Sequence, residues 1–193
     1  NLVWKLARVV AGTSPESLLD SYSSERIAAA DENLLNSTRS TDFMTPKSKV
    51  ARTLRDAVLS LAAEVPAGRA LVNSGRLSVP STLHGSPLNT PDADADWQGW
   101  MEPGAPVDDA PVAGRAPWLL PHLGEDFTLL FFGPPDATQA EALRALPCAV
   151  LLVDGEAAGL PRVQDLQGLA ARRFDARPGT CHLIRPDQHV AGA

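Results

Sequence analysis

Four histidines and two cysteines are the residues of this chain best suited to ligate a metal or attack a substrate: His84, His122, His182, His189, Cys148 and Cys181. His182 and His189 fall on two short apolar runs, 181–184 and 189–191, that flank Arg185-Pro186-Asp187-Gln188. Paired as a hairpin, those runs place the two rings diagonally on one face. Two imidazoles do not close a metal site, and no carboxylate or cysteine stands at ligand spacing from them. They read as hairpin or surface histidines. Disulfide exchange needs a low-pKa thiolate in Cys-x-x-Cys where a strand runs into a helix. The junction of that kind reads Phe132-Gly133-Pro134-Pro135-Asp136, without cysteine. Cys148 precedes one apolar run and Cys181 begins another, positions where a free thiol behaves as a small hydrophobe. There is no Gly-x-Gly-x-x-Gly for a dinucleotide pyrophosphate, and no Ser/His/Asp order or paired-carboxylate motif stands out. The residue types therefore assign no catalytic, cofactor-binding or metal-binding residue in this chain.

The elements that would position such residues lie mostly in the second half. Phe127–Phe132 is a continuous apolar run closed by Gly133-Pro134-Pro135, and Ala149–Val153 is another closed by Asp154-Gly155. Both have the length and punctuation of fully buried strands. Between them, Ala137–Leu146 predicts a helix with Ala140, Leu143 and Leu146 inward, and Gln164–Phe174 predicts a further helix. The order strand, helix, strand, helix, strand, strand predicts a small α/β sheet with a parallel crossover followed by an antiparallel pair.

The first half reads differently. Leu2–Val10 carries only Lys5 and Arg8 as charges among Leu2, Val3, Trp4, Leu6, Ala7, Val9 and Val10. A helix apolar nearly all round is expected to be buried on several sides in a larger body, so this one is expected to have lost a covering domain. Gly12 stops it. Thr13-Ser14-Pro15-Glu16 has capping-box spacing for a second helix with Leu18, Leu19, Tyr22 and Ile27 inward. The polar Asn33–Asp42 stretch is expected to end that helix. Thr45-Pro46 is expected to begin a third, with Val50, Leu54, Val58, Leu61 and Val65 as its inward stripe. The adjacent charges Glu25-Arg26 and Arg55-Asp56 read as solvated or surface-paired, with interdomain contact as the alternative for Arg26.

From Pro66 to Pro117 periodicity fades. Leu71-Val72 and Leu77–Pro80 have the character of short extended pieces, Ser86-Pro87-Leu88-Asn89 of a turn, and 91–96 of a flexible acidic loop that Trp97 and Trp100 anchor. The chain has 193 residues, 17 of them proline, and a formal net charge of −6. With no basic run longer than a pair, nucleic-acid binding is not expected. No stretch has the length and apolarity to span a membrane, and sparse cysteines point to a reducing cytoplasm.

Against this background the N-terminal residues acquire a family. Asn1-Leu2-x-Trp4-Lys5-Leu6-Ala7-x-Val9, then Gly12, then Leu18-Leu19-Asp20-Ser21-Tyr22-x-x-Glu25-Arg26 resembles the FAD-dependent aromatic hydroxylases that act on phenol, pentachlorophenol and 3-(3-hydroxyphenyl)propionate. Asp42-Phe43-Met44-Thr45-Pro46-Lys47-Ser48 and Arg55-Asp56-Ala57-Val58 extend the resemblance through the helical arm. Glu102-Pro103-Gly104-Ala105-Pro106 resembles the stretch that leads into that group's C-terminal domain. Phe174–Arg177, Leu183-Ile184 and Val190-Ala191 resemble the end of a thioredoxin fold, and Arg185-Pro186-Asp187-Gln188-His189-Val190 is similar to the family's own version.

The resemblance implies a helical arm left from an FAD-binding domain over 1–65, an irregular Pro-rich linker over 66–105, and a thioredoxin-like domain without Cys-x-x-Cys over 106–193. The position where that fold usually keeps a cis-proline is Thr180. For the parent it implies an FAD- and NAD(P)H-dependent monooxygenase of phenolic compounds. The chain itself is expected to be a non-catalytic C-terminal portion with no cofactor of its own. Its expected partners are the missing N-terminal FAD-binding domain and copies of itself. The alternative is a non-catalytic thioredoxin-like assembly or dimerisation module.

Overall fold

The apolar runs of the second half pair as strands because both of their faces can be buried. The computed structural model of the chain describes residues 1–66, 68–69, 80–90 and 97–192. Its strands are β1 (Val112–Ala113), β2 (Thr128–Phe132), β3 (Ala149–Val153), β4 (Arg162–Asp165), β5 (Cys181–Ile184) and β6 (Val190–Gly192). They form one mixed sheet in the order β1-β4-β3-β2-β5-β6. β2 and β3 run parallel with Leu130 opposite Leu151, and β3 and β4 are parallel too. β5 pairs antiparallel with β2 and with β6, and β1 antiparallel with β4. Alternation along β2 and β3 sends Leu130, Phe132, Leu151 and Val153 to one core with Phe174, Ile184 and Val190. It sends Phe131, Val150 and Leu152 to a second core on the other face, with Leu143. A sheet covered on both faces needs such continuous apolar strands.

The helices are α1 (Leu2–Val10), α2 (Leu18–Met44), α3 (Lys49–Glu64), α4 (Ala137–Arg144) and α5 (Leu169–Arg173). Asp136 caps α4: its side chain accepts from the Gln139 amide while the Gln139 side chain answers the Asp136 amide, a reciprocal cap. Ala140 and Leu143 face inward as expected, but Leu146 lies beyond the helix and is exposed. The helix expected over 164–174 begins only at Leu169. Gln164 and Asp165 belong instead to β4, where Asp165 pairs with Val112. The Asp165 carboxylate then turns the chain by accepting from the amides of Leu169 and Ala171.

The chain divides into two compact units, Asn1–Glu25 with Thr82–Ala193, and Arg26–Ser81. In the first, the described residues of the proline-rich stretch, 82–90 and 97–105, are irregular in backbone yet built into the fold. The amides of Thr90 and Gly104 bond to the carbonyls of Ala191 and Val190, covering the outer edge of β6; exposed edges invite unwanted pairing. Met101 and Val107 join the core, and Trp97 donates to the Phe174 carbonyl. Trp100 donates to Asp108. The Ser86–Asn89 turn is also present, closed by the Asn89 amide on the Ser86 carbonyl. The pieces expected at Leu71-Val72 and Leu77–Val79 and the loop at 91–96 lie outside the described residues.

In the second unit α3 carries the expected spacing, but Val50, Leu54, Leu61 and Val65 are exposed rather than inward. Two helix boundaries differ from expectation. No Gly or Pro interrupts Leu18–Met44, so the polar residues after Asn33 continue α2 along its solvated sides, and Pro46 ends it. Ser48, not Thr45, caps α3, its hydroxyl accepting from the Ala51 amide. The capping box expected at Thr13–Glu16 does not form either. The Thr13 hydroxyl donates back to the Arg8 carbonyl, closing α1 around Gly12 in the left-handed region, the usual helix stop.

A buried charge cluster as the candidate functional site

Helix α1 turns its charges inward. Lys5 is its one buried residue, while Leu2, Val3, Leu6 and Val10 are exposed, Val3 to 80% and Val10 to 79%. Positions 2, 3, 6, 7 and 10 recur at helical spacing, so they form one uncharged stripe on the outer side. The expectation of a helix buried on several sides is corrected to a helix buried on one, and that side is the charged one.

Lys5 is buried because Glu25 waits for it. The Lys5 ammonium donates to Glu25 Oε2 at 2.6 Å and to the Ser21 hydroxyl at 2.8 Å. Arg185, on the turn after β5, donates to Glu25 Oε1 at 2.7 Å and to Oε2 at 3.1 Å. Its remaining edge reaches Asp187, with Nε to Oδ1 at 3.0 Å and Nη2 to Oδ2 at 2.8 Å. The Asn1 amide bridges Glu25 and Asp187, at 2.8 Å to each, and the Ser86 hydroxyl completes the ring of donors on Glu25. The side chains of Lys5, Glu25 and Arg185 are fully buried. Two cations face two anions, so the cluster is neutral overall; buried ions that lacked partners would be severely penalised.

The electrostatics follow from that geometry. Burial alone would raise the Glu25 pKa, but hydrogen bonds from Arg185, Lys5, Ser86 and Asn1 overcome it and bring it down to about 2. Asp187 is likewise pulled below the usual carboxylate range, against its burial, by His189 and Arg185. Burial lowers the Lys5 pKa, with Glu25 opposing. The Trp4 ring lies 5.7 Å from both the Lys5 ammonium and the Arg185 guanidinium, and meets Phe127 edge-on at 5.5 Å, which adds cation–π attraction in a dry setting.

The residues singled out by chemical type do not meet in this cluster, His189 excepted. His189 approaches Asp187, 3.0 Å from its carbonyl. His182 is fully buried among Trp97, Phe132 and Phe174, and neither ring nitrogen has a partner. His84 is exposed, and His122 contacts the Ala116 backbone. No group of three His, Cys, Asp or Glu among the described residues is placed to hold a metal. Cys148 and Cys181 are free and half-buried, and burial raises both thiol pKa values, the reverse of an activated thiolate. Arg55 pairs with its neighbour Asp56 at the surface, as expected, whereas Glu25, expected to be solvated, is 2% exposed. An open cleft of about 890 Å³ lies between Gly114, Pro134, Asp154 and Asp165. Its acids are engaged: Asp154 accepts from the Asp165 amide, and Glu156 pairs with Arg162.

The segment that carries Asn1, Lys5 and Glu25 also matches a known family model. The family model described as FAD binding domain matches residues 1–37. A 3-(3-hydroxy-phenyl)propionate/3-hydroxycinnamic acid hydroxylase of Mycolicibacterium gilvum is 29% identical across the whole chain, and a second of that name from Burkholderia vietnamiensis is 46% identical over 30% of it. The chain is similar to these hydroxylases and, over its first helices, to an FAD-binding domain. It spans 36% of the first of these relatives and 9% of the second. In fold it is similar along its whole length to the flavin-dependent monooxygenase PieE, solved with FAD and substrate, with a TM-score of 0.69, 22% identity and 39% of that chain covered. The resemblance read from the N-terminal residues is thus upheld. Of the cluster's charged members, Glu25 reads from sequence as solvated or surface-paired because single charged residues in helices usually are. The available signal was a mid-helix lysine in a helix whose one other charge is Arg8, near its end.

Proposed function

We propose that this chain is part of a flavin-dependent monooxygenase that hydroxylates phenolic compounds, and that its own role is to support the flavin-binding body rather than to carry out the chemistry. The observation that carries this reading is the orientation of α1: charges against the sheet unit, apolar stripe outward. A contiguous apolar face on a monomer marks an interaction surface, and α1 lies within the segment that matches the FAD-binding family model. The occupant proposed for that face is the flavin-binding body of the same protein.

The residues present do not fit FAD by themselves. The buried polar groups of the cluster are committed to one another, and the sequence holds no glycine fingerprint for a pyrophosphate. FAD, and NAD(P)H as its reductant, are therefore assigned to the whole protein, where the bound flavin would supply the oxygen chemistry. The experiment is a comparison of the full-length protein with this chain. The full-length protein should show bound-flavin absorbance and consume NAD(P)H with a phenolic substrate, and the chain alone should show neither. Flavin bound tightly by the chain alone, or a full-length protein without flavin, would overturn the reading.

A second reading assigns the sheet domain over 106–193 to assembly. It is supported by a strand order, β4-β3-β2-β5-β6, that matches a thioredoxin-like sheet, and by the Phe132–Asp136 junction without the thiols of that fold. Under it, deleting 106–193 should cost oligomerisation more than ring hydroxylation.

A further inference from the structure

Helix α1 is held to the sheet unit chiefly by directional contacts. Its one buried residue is a lysine, and its main apolar anchor is Trp4 against Phe127. Apolar contact tolerates sliding and rotation, whereas hydrogen bonds and ion pairs fail outside narrow distances and angles. Turning α1 by one residue would rotate it about 100° and bring Leu6 to the place of Lys5. Glu25 would lose a donor and the outer stripe would be re-aimed. The residues that prevent this are anchored on the sheet. Arg185 grips Glu25 with two donors and Asp187 with two more, and Asp187 and Glu25 together hold the Asn1 side chain at the start of α1.

We propose that Arg185 and Asp187, on the turn between β5 and β6, are positioning residues for α1: through Glu25, Lys5 and Asn1 they set the angle at which the Leu2, Val3, Leu6 and Val10 stripe meets the flavin-binding body. The sheet unit thereby controls the flavin site without touching the flavin. This rests on the reading of α1 as an interface helix. Such a role differs from mere stabilisation, because loosening α1 alone should disturb the flavin while the sheet remains intact.

The test uses the full-length protein, with Arg185→Met as the strong variant, Asp187→Asn as the mild one and Asp187→Glu as the conservative one. Hydrogen exchange is read at α1, β2 and β3, alongside the visible flavin spectrum and the Kd for added FAD. In Arg185→Met and Asp187→Asn, α1 amides should exchange at least about tenfold faster while β2 and β3 stay protected, as for a local opening. The flavin band should shift and FAD should bind about tenfold more weakly, a typical coupling between sites. Asp187→Glu should recover most of both. Two results would overturn the proposal: α1 loosened with an unchanged flavin spectrum and Kd, or protection lost equally in α1 and the sheet. A wild-type protein that retains no flavin would instead remove the reading on which the proposal depends.

Discussion

Arg185 and Glu25 stand 160 positions apart and meet as a fully buried two-pronged ion pair, at 2.7 and 3.1 Å. The planar guanidinium fork matches a carboxylate edge to edge, which a lysine cannot do. The pair therefore joins the first 25 residues to the last strands of the sheet with a defined geometry.

Removing one side of this pair should be costly. Arg185→Met leaves Glu25 with Lys5, Asn1 and Ser86 and Asp187 with Asn1 and His189, two buried anions facing one buried cation, so stability should fall by about 3–5 kcal/mol. Arg185→Lys should recover only part of that loss, because one ammonium cannot serve both carboxylates with the same contacts. Urea unfolding of this chain, followed by far-UV circular dichroism, measures both. A loss under 1 kcal/mol for Arg185→Met would show that the pair is not buried in solution.

Acid should unfold the chain in two overlapping stages. His182 has its pKa lowered to about 4 by burial, against an ordinary 6.5. Below pH 6.5 the unfolded chain takes up a proton that the folded chain refuses, so stability falls between pH 6.5 and 4, by about 3 kcal/mol for a shift of this size. Glu25, brought from 4.5 down to about 2, adds stability that is complete above pH 4.5 and lost as pH falls toward 2. His182→Phe should flatten the first stage and spare the second. Urea midpoints from pH 8 to 3 would show it, and identical profiles for the two proteins would refute the assignment.

Much of the sheet was legible in the residues because continuous apolar runs bounded by Gly, Pro and Asp have few alternatives to buried strands. β2 and β3 lie within a residue of where the pattern places them, and α4 follows from its Asp136 cap. The pattern failed where burial and polarity part company. Lys5, Glu25 and Arg185 are buried only because they find each other, and nothing local announces a partner 160 residues away. The stripe of α3 failed the other way: Val50 and Leu54 keep helical spacing but are 80% and 65% exposed. Gln164 and Asp165 read as helix because β4 owes its conformation to pairing with β1 and β3, which local sequence does not encode.

The backbone approach behind the β3 turn offers a steric check. A methyl group on Gly155 would collide with the carbonyl oxygen of Gly133, a main-chain atom that cannot swing aside. Gly155→Ala should therefore lower stability by about 1–3 kcal/mol, the usual cost of forcing volume into a packed site. Gly159→Ala offers a contrast, since open space surrounds it and only its left-handed backbone, with φ at 79°, resists the change. Thermal melts of the two variants would rank them, and a Gly155→Ala melting point at or above wild type would contradict the close approach.

The outward face of α1 gives the last prediction. Val3 and Val10 are so exposed that charged replacements should alter the stability of this chain by no more than about 0.5 kcal/mol. Either pair of charges breaks the apolar stripe, but Val3→Lys with Val10→Glu would add opposite charges to one helix face. Val3→Glu with Val10→Glu avoids that pairing and adds like charge to the surface. The isolated chain should self-associate through the uncovered stripe, and the double glutamate variant should scatter as a smaller particle at equal concentration. In the full-length protein the same variant should weaken flavin retention, because the stripe then meets its partner body with two charges to desolvate. A wild-type chain already monomeric at high concentration, together with a full-length variant that keeps its flavin, would show that this face has no partner.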